Sequence, residues 1–449
     1  MEHTDPRHDD ESAFGARIHA VLSPASPIQS EEFLFGRDEQ LERIRRCLMA
    51  PGRQVFIYGE RGVGKSSLAN AAAAAWQSSD KPPLQVSCGR SDTFSSVVGS
   101  LIRATQTEID GTITTRKEAK VSAKLLDVGG QIEITKPQAR DPADIEGAAY
   151  RLDAAFSAYS SKTIAVIDEF DLIVDANERN RFAELVKALG DRKSSVKLIF
   201  TGVAAVLDEL LESHGSAQRQ FETIELERLP YQARIDVVKA ALNYFFVFAD
   251  ESVTYRIASV SNGFPYYVHL LTEHLLWAWY GDKQSHDISL PHLHKAFAGA
   301  TGAVHAGLRQ PYDKATKGRD QAAFVLWAAA DAFDLERTTD AIWLSYSQIC
   351  ETLEVPALDR AKFTGQLRKL REPSHACILE QTPERKLHRF QESMVRGYVR
   401  MAAASRGIEL DDQQFDPPPQ ALVHAPRFSK RKRWIDTSRF IPNMSRDKR

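Results

Sequence analysis

Short, mostly apolar runs recur along the first half of this chain, at 54–58, 84–88, 164–167, 196–202 and 221–226, and between them apolar residues fall at helical spacing. A run of that length bounded by polar turns fits a strand covered on both faces, whereas apolar residues three and four apart make one face of a helix. The intervening patterns predict helices at 38–48, 94–106, 144–159, 178–189 and 203–211. Strands alternating with helices predict a three-layer α/β fold around a parallel sheet, over residues 32–228. The segment 111–140 interrupts the alternation; Ile132-Glu133-Ile134 hints at a hairpin there, but no physical account of its purpose follows.

From 229 onward the strand pattern stops. Helices are expected at 231–245, 250–259 and 266–280, which predicts a helical lid over 229–300. The break Ser261-Asn262-Gly263-Phe264-Pro265 has strong turn chemistry and starts the last of these helices at Pro265 or just after it. A further unit is expected over 319–406: apolar helical stretches at 321–332 and 346–353, a break at Val355-Pro356, and a helix at 358–371 with Phe363, Leu367 and Leu370 facing inward. Two short strands, 377–380 and 387–390, follow around Thr382-Pro383-Glu384. Helix, helix, helix and hairpin is the order of a winged helix, an analogy at the level of fold. The ends read differently: 1–31, rich in His, Asp, Pro and Ser, predicts a flexible lead-in, and 407–449 predicts a linker through Pro417-Pro418-Pro419 and a basic tail.

The chemistry concentrates where the first strand ends. Gly59-Glu60-Arg61-Gly62-Val63-Gly64-Lys65-Ser66 satisfies every position of the G-x-x-x-x-G-K-[ST] phosphate loop and lies between a strand and an Ala-rich helical stretch beginning at Ser67. Its glycines let successive N–H groups face a polyphosphate, Lys65 reaches the β/γ-phosphates, and the helix N-terminus favours the bound anion. Ser66 is the expected magnesium ligand. A second strand, 164–167, ends in Asp168-Glu169, and the carboxyl ends of strands are where open α/β sheets place ligands. Asp168 is expected on the magnesium side, and Glu169 is expected to polarise a water for attack on the γ-phosphate. Asp171 is expected to cap the next turn or meet a partner.

Composition bounds the rest. At 449 residues there is room for more than one core, and 60 acidic against 58 basic residues give no whole-molecule argument for a nucleic-acid partner. The four cysteines, Cys47, Cys88, Cys350 and Cys377, are too dispersed for a zinc module or a disulfide scaffold. With no long apolar span and no secretory leader in view, a soluble cytoplasmic protein without a membrane partner is the expectation.

On these motifs the chain resembles the AAA+ ATPase superfamily over about 35–280, in particular prokaryotic ATPases of the initiator/origin-recognition group and the signal-transducing NTPases called STAND proteins. The resemblance implies a five-stranded nucleotide domain with a helical lid, ATP and Mg2+ as ligands, and ATP hydrolysis to ADP and phosphate. Phe35-Gly36-Arg37 looks like the family's adenine-side segment, and Thr201 falls at its polar sensor position beside the lytic water. Arg219 resembles an arginine finger offered to a neighbouring subunit, with Arg192 a second candidate, so an assembly of identical or related ATPase subunits is implied. The family's sensor arginine at the start of the last lid helix is missing; Gly263-Phe264-Pro265 is closer to the Gly-x-Pro feature of STAND ATPases, with Gly263 and Pro265 near the nucleotide and His269 or His274 as polar substitutes.

Two functions follow. In one, a nucleotide-controlled switch meets duplex DNA through Lys362, Arg368, Lys369 and Arg371 of the winged-helix-like unit and through the basic run Arg427-Phe428-Ser429-Lys430-Arg431-Lys432-Arg433-Trp434. In the other, a STAND-like signalling or antiviral-defence ATPase recognises a protein partner or effector.

Overall fold

A computed structural model describes residues 6–24, 34–106, 144–213, 217–382 and 386–410. The segment 111–140, the Pro-rich linker and the basic run 427–434 lie outside the described residues.

The strands form where the apolar runs predict them: β1 (Gln54–Tyr58), β2 (Leu84–Ser87), β3 (Ile164–Asp168), β4 (Lys197–Gly202) and β5 (Phe221–Glu225). They make one parallel five-stranded sheet in the order β2-β3-β4-β1-β5. Because side chains alternate across a strand, Val55 and Ile57 join the core on one face and Phe56 the core on the other. The Phe56 face is an aromatic layer in which Phe170, Phe182, Phe200 and Phe221 meet mostly edge to face, with Phe56 stacked on Phe200. Helices α2 (Asp38–Met49) and α3 (Lys65–Trp76) contribute to the first core; α4 (94–106), α5 (Ile145–Tyr159), α6 (Ala176–Asp191) and α7 (Ala204–Ser213) lie on the second side. This is the three-layer α/β arrangement the pattern predicts.

The lid comprises α8 (Tyr231–Tyr244), α9 (Glu251–Val260) and α10 (Pro265–Gly281), and the pairing of α10 with α11 (Leu290–Ala303) carries it past residue 300. The expected flexible lead-in is instead α1 (Glu11–Val21), capped by Asp10, whose side chain accepts from Ala13 N. Phe14 enters an aromatic pocket of Phe245, Trp277 and Tyr280, and Arg7 donates to the carbonyls of Asp282 and Ser285. Phe14 and Ile18, four residues apart on one helical face, supply the apolar area that the polar composition of the segment conceals.

After α12 (Ala306–Thr316) come α13 (Asp320–Ala330), α14 (Thr339–Thr352) and α15 (Arg360–Lys369), then the antiparallel pair β6 (Leu379–Gln381) and β7 (His388–Phe390). Arg337 exchanges both backbone hydrogen bonds with His388, which adds a one-residue third member to the hairpin. The final described helix, α16 (Ser393–Ala404), is absent from the sequence expectation and is buried along most of its length. Its Arg396 and Arg400 are fully enclosed and donate to the carbonyls of Asp331, Ala332, Ala330 and Ser259, and Arg396 also to Asn262 Oδ1. These guanidiniums fasten α16 to both the lid and the α13–α14 connection.

Candidate functional site

The turn after β1 requires its glycines. Gly59, Gly62 and Gly64 have φ of 152°, 83° and 100°, and a Cβ on Gly59 would stand 2.2 Å from the carbonyl oxygen of Leu226. Gly64 precedes the first residue of α3, so Lys65, Ser66 and Ser67 occupy that helix's first turn, where free N–H groups and the dipole favour an anion. Lys65 Nζ donates to the carbonyls of Gly59 (3.0 Å) and Glu60 (2.8 Å). Burial pulls the Lys65 ammonium below its usual range, and the nearby carboxylates of Asp171 and Asp168 oppose that shift.

Sheet order brings the second half of the site to the first. β4 lies between β1 and β3, and Thr201 pairs with Ile57 while Phe200 pairs with Ile167, so Thr201 stands level with Asp168 at the carboxyl edge. Asp168, 7 % exposed, accepts on Oδ1 from Ser66 Oγ at 2.9 Å, from the Thr201 hydroxyl, and from the backbone N of Glu169 at 3.1 Å. Glu169 N also points to Thr201 Oγ1 at 3.1 Å. Glu169 has a left-handed backbone (φ 54°) and an exposed side chain. A hydroxyl and a carboxylate oxygen in contact beside a helix N-terminus are hard donors suited to magnesium, which takes one or two protein ligands and completes its shell with phosphate oxygens and water. Consistent with so sparse a donor set, the described residues contain no cluster of three or more His, Cys, Asp or Glu for a metal cage.

The remaining predicted residues divide into those near the loop and those away from it. Arg37 is buried and donates to the carbonyls of Val63 (3.1 Å) and Glu227 (2.7 Å), bracing the phosphate loop against the link to the lid; burial lowers its pKa to about 10. Gly36 (φ 68°) faces Ala233 of α8, and Phe35 packs half-buried on the core. Gly263 (φ 84°) turns tightly against Arg228, and its carbonyl accepts from Leu229 N. Pro265 Cγ lies 3.7 Å from where a Cβ on Gly64 would be, so the Gly-Phe-Pro turn sits on the phosphate loop.

His269 and His274 are not at the loop. His269 Nδ1 accepts from Ser23 N, and His274 lies against Gly299 of α11. A histidine within α10 can join the loop only if its helical face points that way, and these two face other elements. Arg219 is exposed just before β5, at the amino edge of the sheet and so at the opposite end of the strands from its own phosphate loop. Arg192 lies at the same edge and pairs with Glu146 at 3.2 Å.

Sequence reasoning missed what covers the loop. A Cβ on Gly62 would stand 2.3 Å from Met394 Sδ, Arg61 lies 3.7 Å from Glu392, and the Tyr267 hydroxyl donates to the Met394 carbonyl at 2.6 Å. The start of α16 thus sits on the phosphate loop. The apolar spacing of Val395, Tyr398, Val399 and Ala402 would have revealed the helix, but no local signal reveals where it docks.

A phosphate loop entering a helix and an acidic residue ending a parallel strand one removed from β1 define a P-loop nucleotide hydrolase. Residues 34–200 match the family model described as the AAA ATPase domain, so this chain carries an AAA ATPase domain and is an ATP hydrolase. No curated protein sequence matches it. Among solved structures it is similar to the Walker-type ATPase PABY2304 of Pyrococcus abyssi (14 % identity over 84 % of this chain and 99 % of that one, TM-score 0.48). It is also similar to the Aeropyrum pernix ORC2 protein (11 % identity, 86 % and 98 %, TM-score 0.46) and the Thermotoga maritima RuvB Holliday junction branch migration motor (13 % identity, 85 % and 98 %, TM-score 0.40). At these scores the likenesses carry no argument about function. Among the described residues no helix is long and apolar enough to cross a membrane.

Proposed function

We propose that this ATPase is a magnesium-dependent, nucleotide-controlled switch whose C-terminal unit, 319–406, associates with DNA. The observation that carries the reading is the direct contact of α16 with the phosphate loop through Met394 and Gly62 and through Glu392 and Arg61. Anything that moves the loop must then move, or be opposed by, the element fastened to the C-terminal unit, and by linkage the reverse also holds.

In this reading Lys65 and the loop amides hold the phosphates, and Ser66 with Asp168 seats magnesium, which supplies charge neutralisation there. Glu169 orients the attacking water, with Thr201 holding the adjoining backbone. Arg219 serves the site of a neighbouring subunit, since the sheet separates it from its own. Gly263 and Pro265 relay loop movement to the lid. Helix, one-residue strand, helix, helix and hairpin support a winged helix, and the exposed Lys362, Arg368 and Lys369 of α15 are its DNA-facing cations. Arg371 is a lesser contributor to that surface than its sequence position suggests: it is half-buried, and its guanidinium donates to Gln381 of the hairpin.

A specific observation favours the second reading, a STAND-like signalling or defence ATPase. Tyr244, Phe246 and Phe248 are exposed together at the end of α8, and exposed aromatics suit a protein partner better than a phosphate backbone. Turnover and assembly size, measured with and without duplex DNA across a salt series, separate the two. The first reading expects DNA to change the turnover rate, with the effect fading as salt rises, and expects Met394→Ala to weaken that coupling. Turnover indifferent to DNA at every salt concentration, in monomer and assembly alike, overturns it in favour of the second.

A further inference from the structure

We propose that the C-terminal unit holds a second phosphate-binding cleft, distinct from the phosphate loop, between the N-terminus of α14, one side of α15 and the β6–β7 hairpin. A cleft of about 280 Å³ lies there, with Thr339, Thr364, Arg368, Arg371, Gln381 and His388 as its polar lining. Its lining holds two arginines and no carboxylate. The nearby Asp340 is taken up by Arg360. Arg368 is exposed, and its guanidinium has no hydrogen-bond or ion-pair partner among the described residues. Arg371 lies one turn further along, fixed by its bond to Gln381, with a buried Nε that donates to nothing among the described residues. Arg368, in the last turn of α15, and Arg371, two residues past its end, thus both line the cleft, whose lining holds no neutralising acid.

His388 makes this more than a basic surface. It is 5 % exposed and forms part of the cleft wall; Nε2 lies 3.0 Å from the Thr339 hydroxyl, and Nδ1 is buried without a partner among the described residues. Burial and the Arg371 guanidinium both push its pKa down, so the ring is neutral at physiological pH. Whichever ring nitrogen carries the proton, Nδ1 is a buried polar atom with no hydrogen-bond partner among the described residues. Leaving such a group unsatisfied is unfavourable, and in the Nδ1-protonated tautomer a ligand oxygen would satisfy it. Thr339 is also the first residue of the 14-residue α14, whose dipole favours an anion at this end, with the Ala341 N–H already taken by the Thr338 hydroxyl. Two guanidiniums, hydroxyls, an unpartnered imidazole nitrogen and a helix N-terminus around a small cleft are the chemistry of a phosphate oxyanion, carried either by a free phosphate ester or by a nucleic-acid backbone.

The proposal stands apart from the assignment of the phosphate loop, and its test removes that loop. The full chain carrying Lys65→Ala is titrated with inorganic phosphate, followed by 31P line broadening, and compared with the same chain carrying Arg368→Ala as well. Saturable binding on the order of 1 mM is expected, weakened about tenfold or more by the second substitution. Arg368 is exposed, so the doubly substituted chain should keep its thermal midpoint; His388→Gln is an independent second variant expected to weaken binding likewise. Competition with a short DNA duplex and with glycerol 3-phosphate then identifies the source: displacement by the duplex points to a nucleic-acid backbone, and displacement by the monoester alone to a free metabolite. No saturable phosphate binding, or affinity unchanged by both Arg368→Ala and His388→Gln, overturns the proposal.

Discussion

The nucleotide site and the collar that α1 and α16 form on the lid are built by opposite means. In the site, the work is done by short-range geometry: three glycines with positive φ, a lysine at the head of α3, and an aspartate at the end of a strand one removed from β1. In the collar, α1 and α16 are ordinary helices whose positions depend on distant partners. Phe14 needs Phe245, Trp277 and Tyr280, and Arg396 needs Asn262, 134 residues away in sequence. The site can be changed chemically without disturbing the fold; the collar cannot be changed without disturbing the fold, and through Met394 the site as well.

That contrast can be broken most directly at Glu169. Its side chain is exposed, so Glu169→Gln should lower ATP turnover about 10³-fold while leaving ATP binding and the thermal midpoint unchanged. Turnover within a few-fold of the parent would remove Glu169 from the chemistry. Arg396→Met should behave in the reverse way. Losing four donor contacts from a buried guanidinium should cost about 4 kcal/mol in denaturant unfolding, with a change in nucleotide affinity as α16 loosens. Full stability in that variant would mean that the collar is not held as described.

The smallest effect belongs to pH. Burial lowers the His269 pKa from 6.5 to about 4, so between those values the unfolded chain binds a proton that the folded chain refuses. The stability this buried neutral ring retains is fully present above pH 6.5 and is lost as pH falls through about 4, by at most about 3 kcal/mol. Thermal midpoints across this range should fall less steeply with acid in His269→Leu; identical slopes would mean that another group governs the acid limb.

Where the sequence misled, it did so through composition. The polar lead-in hid the two apolar residues, Phe14 and Ile18, that dock α1, because composition averages over a segment while docking depends on one face. Arg371 is expected among the DNA-contacting cations at the end of the 358–371 stretch, yet the hairpin that follows α15 turns back and engages it. Strands fared better: all five core strands begin within a residue or two of their predicted runs; the three central ones, β1, β3 and β4, are buried on both faces and so nearly continuously apolar, while the edge strands β2 and β5 are marked by fewer apolar residues.

The residues along the chain by themselves determined the phosphate loop, the strand that ends in Asp168 and the alternation of helices and strands, because each depends on spacing within a few residues. Only the tertiary structure decided that Thr201 and Ser66 share Asp168 Oδ1, that α16 rests on Gly62, and that His388 closes a basic cleft in the C-terminal unit. Those arrangements join side chains from separate elements through packing and burial, and no period or motif in the sequence encodes which faces will meet.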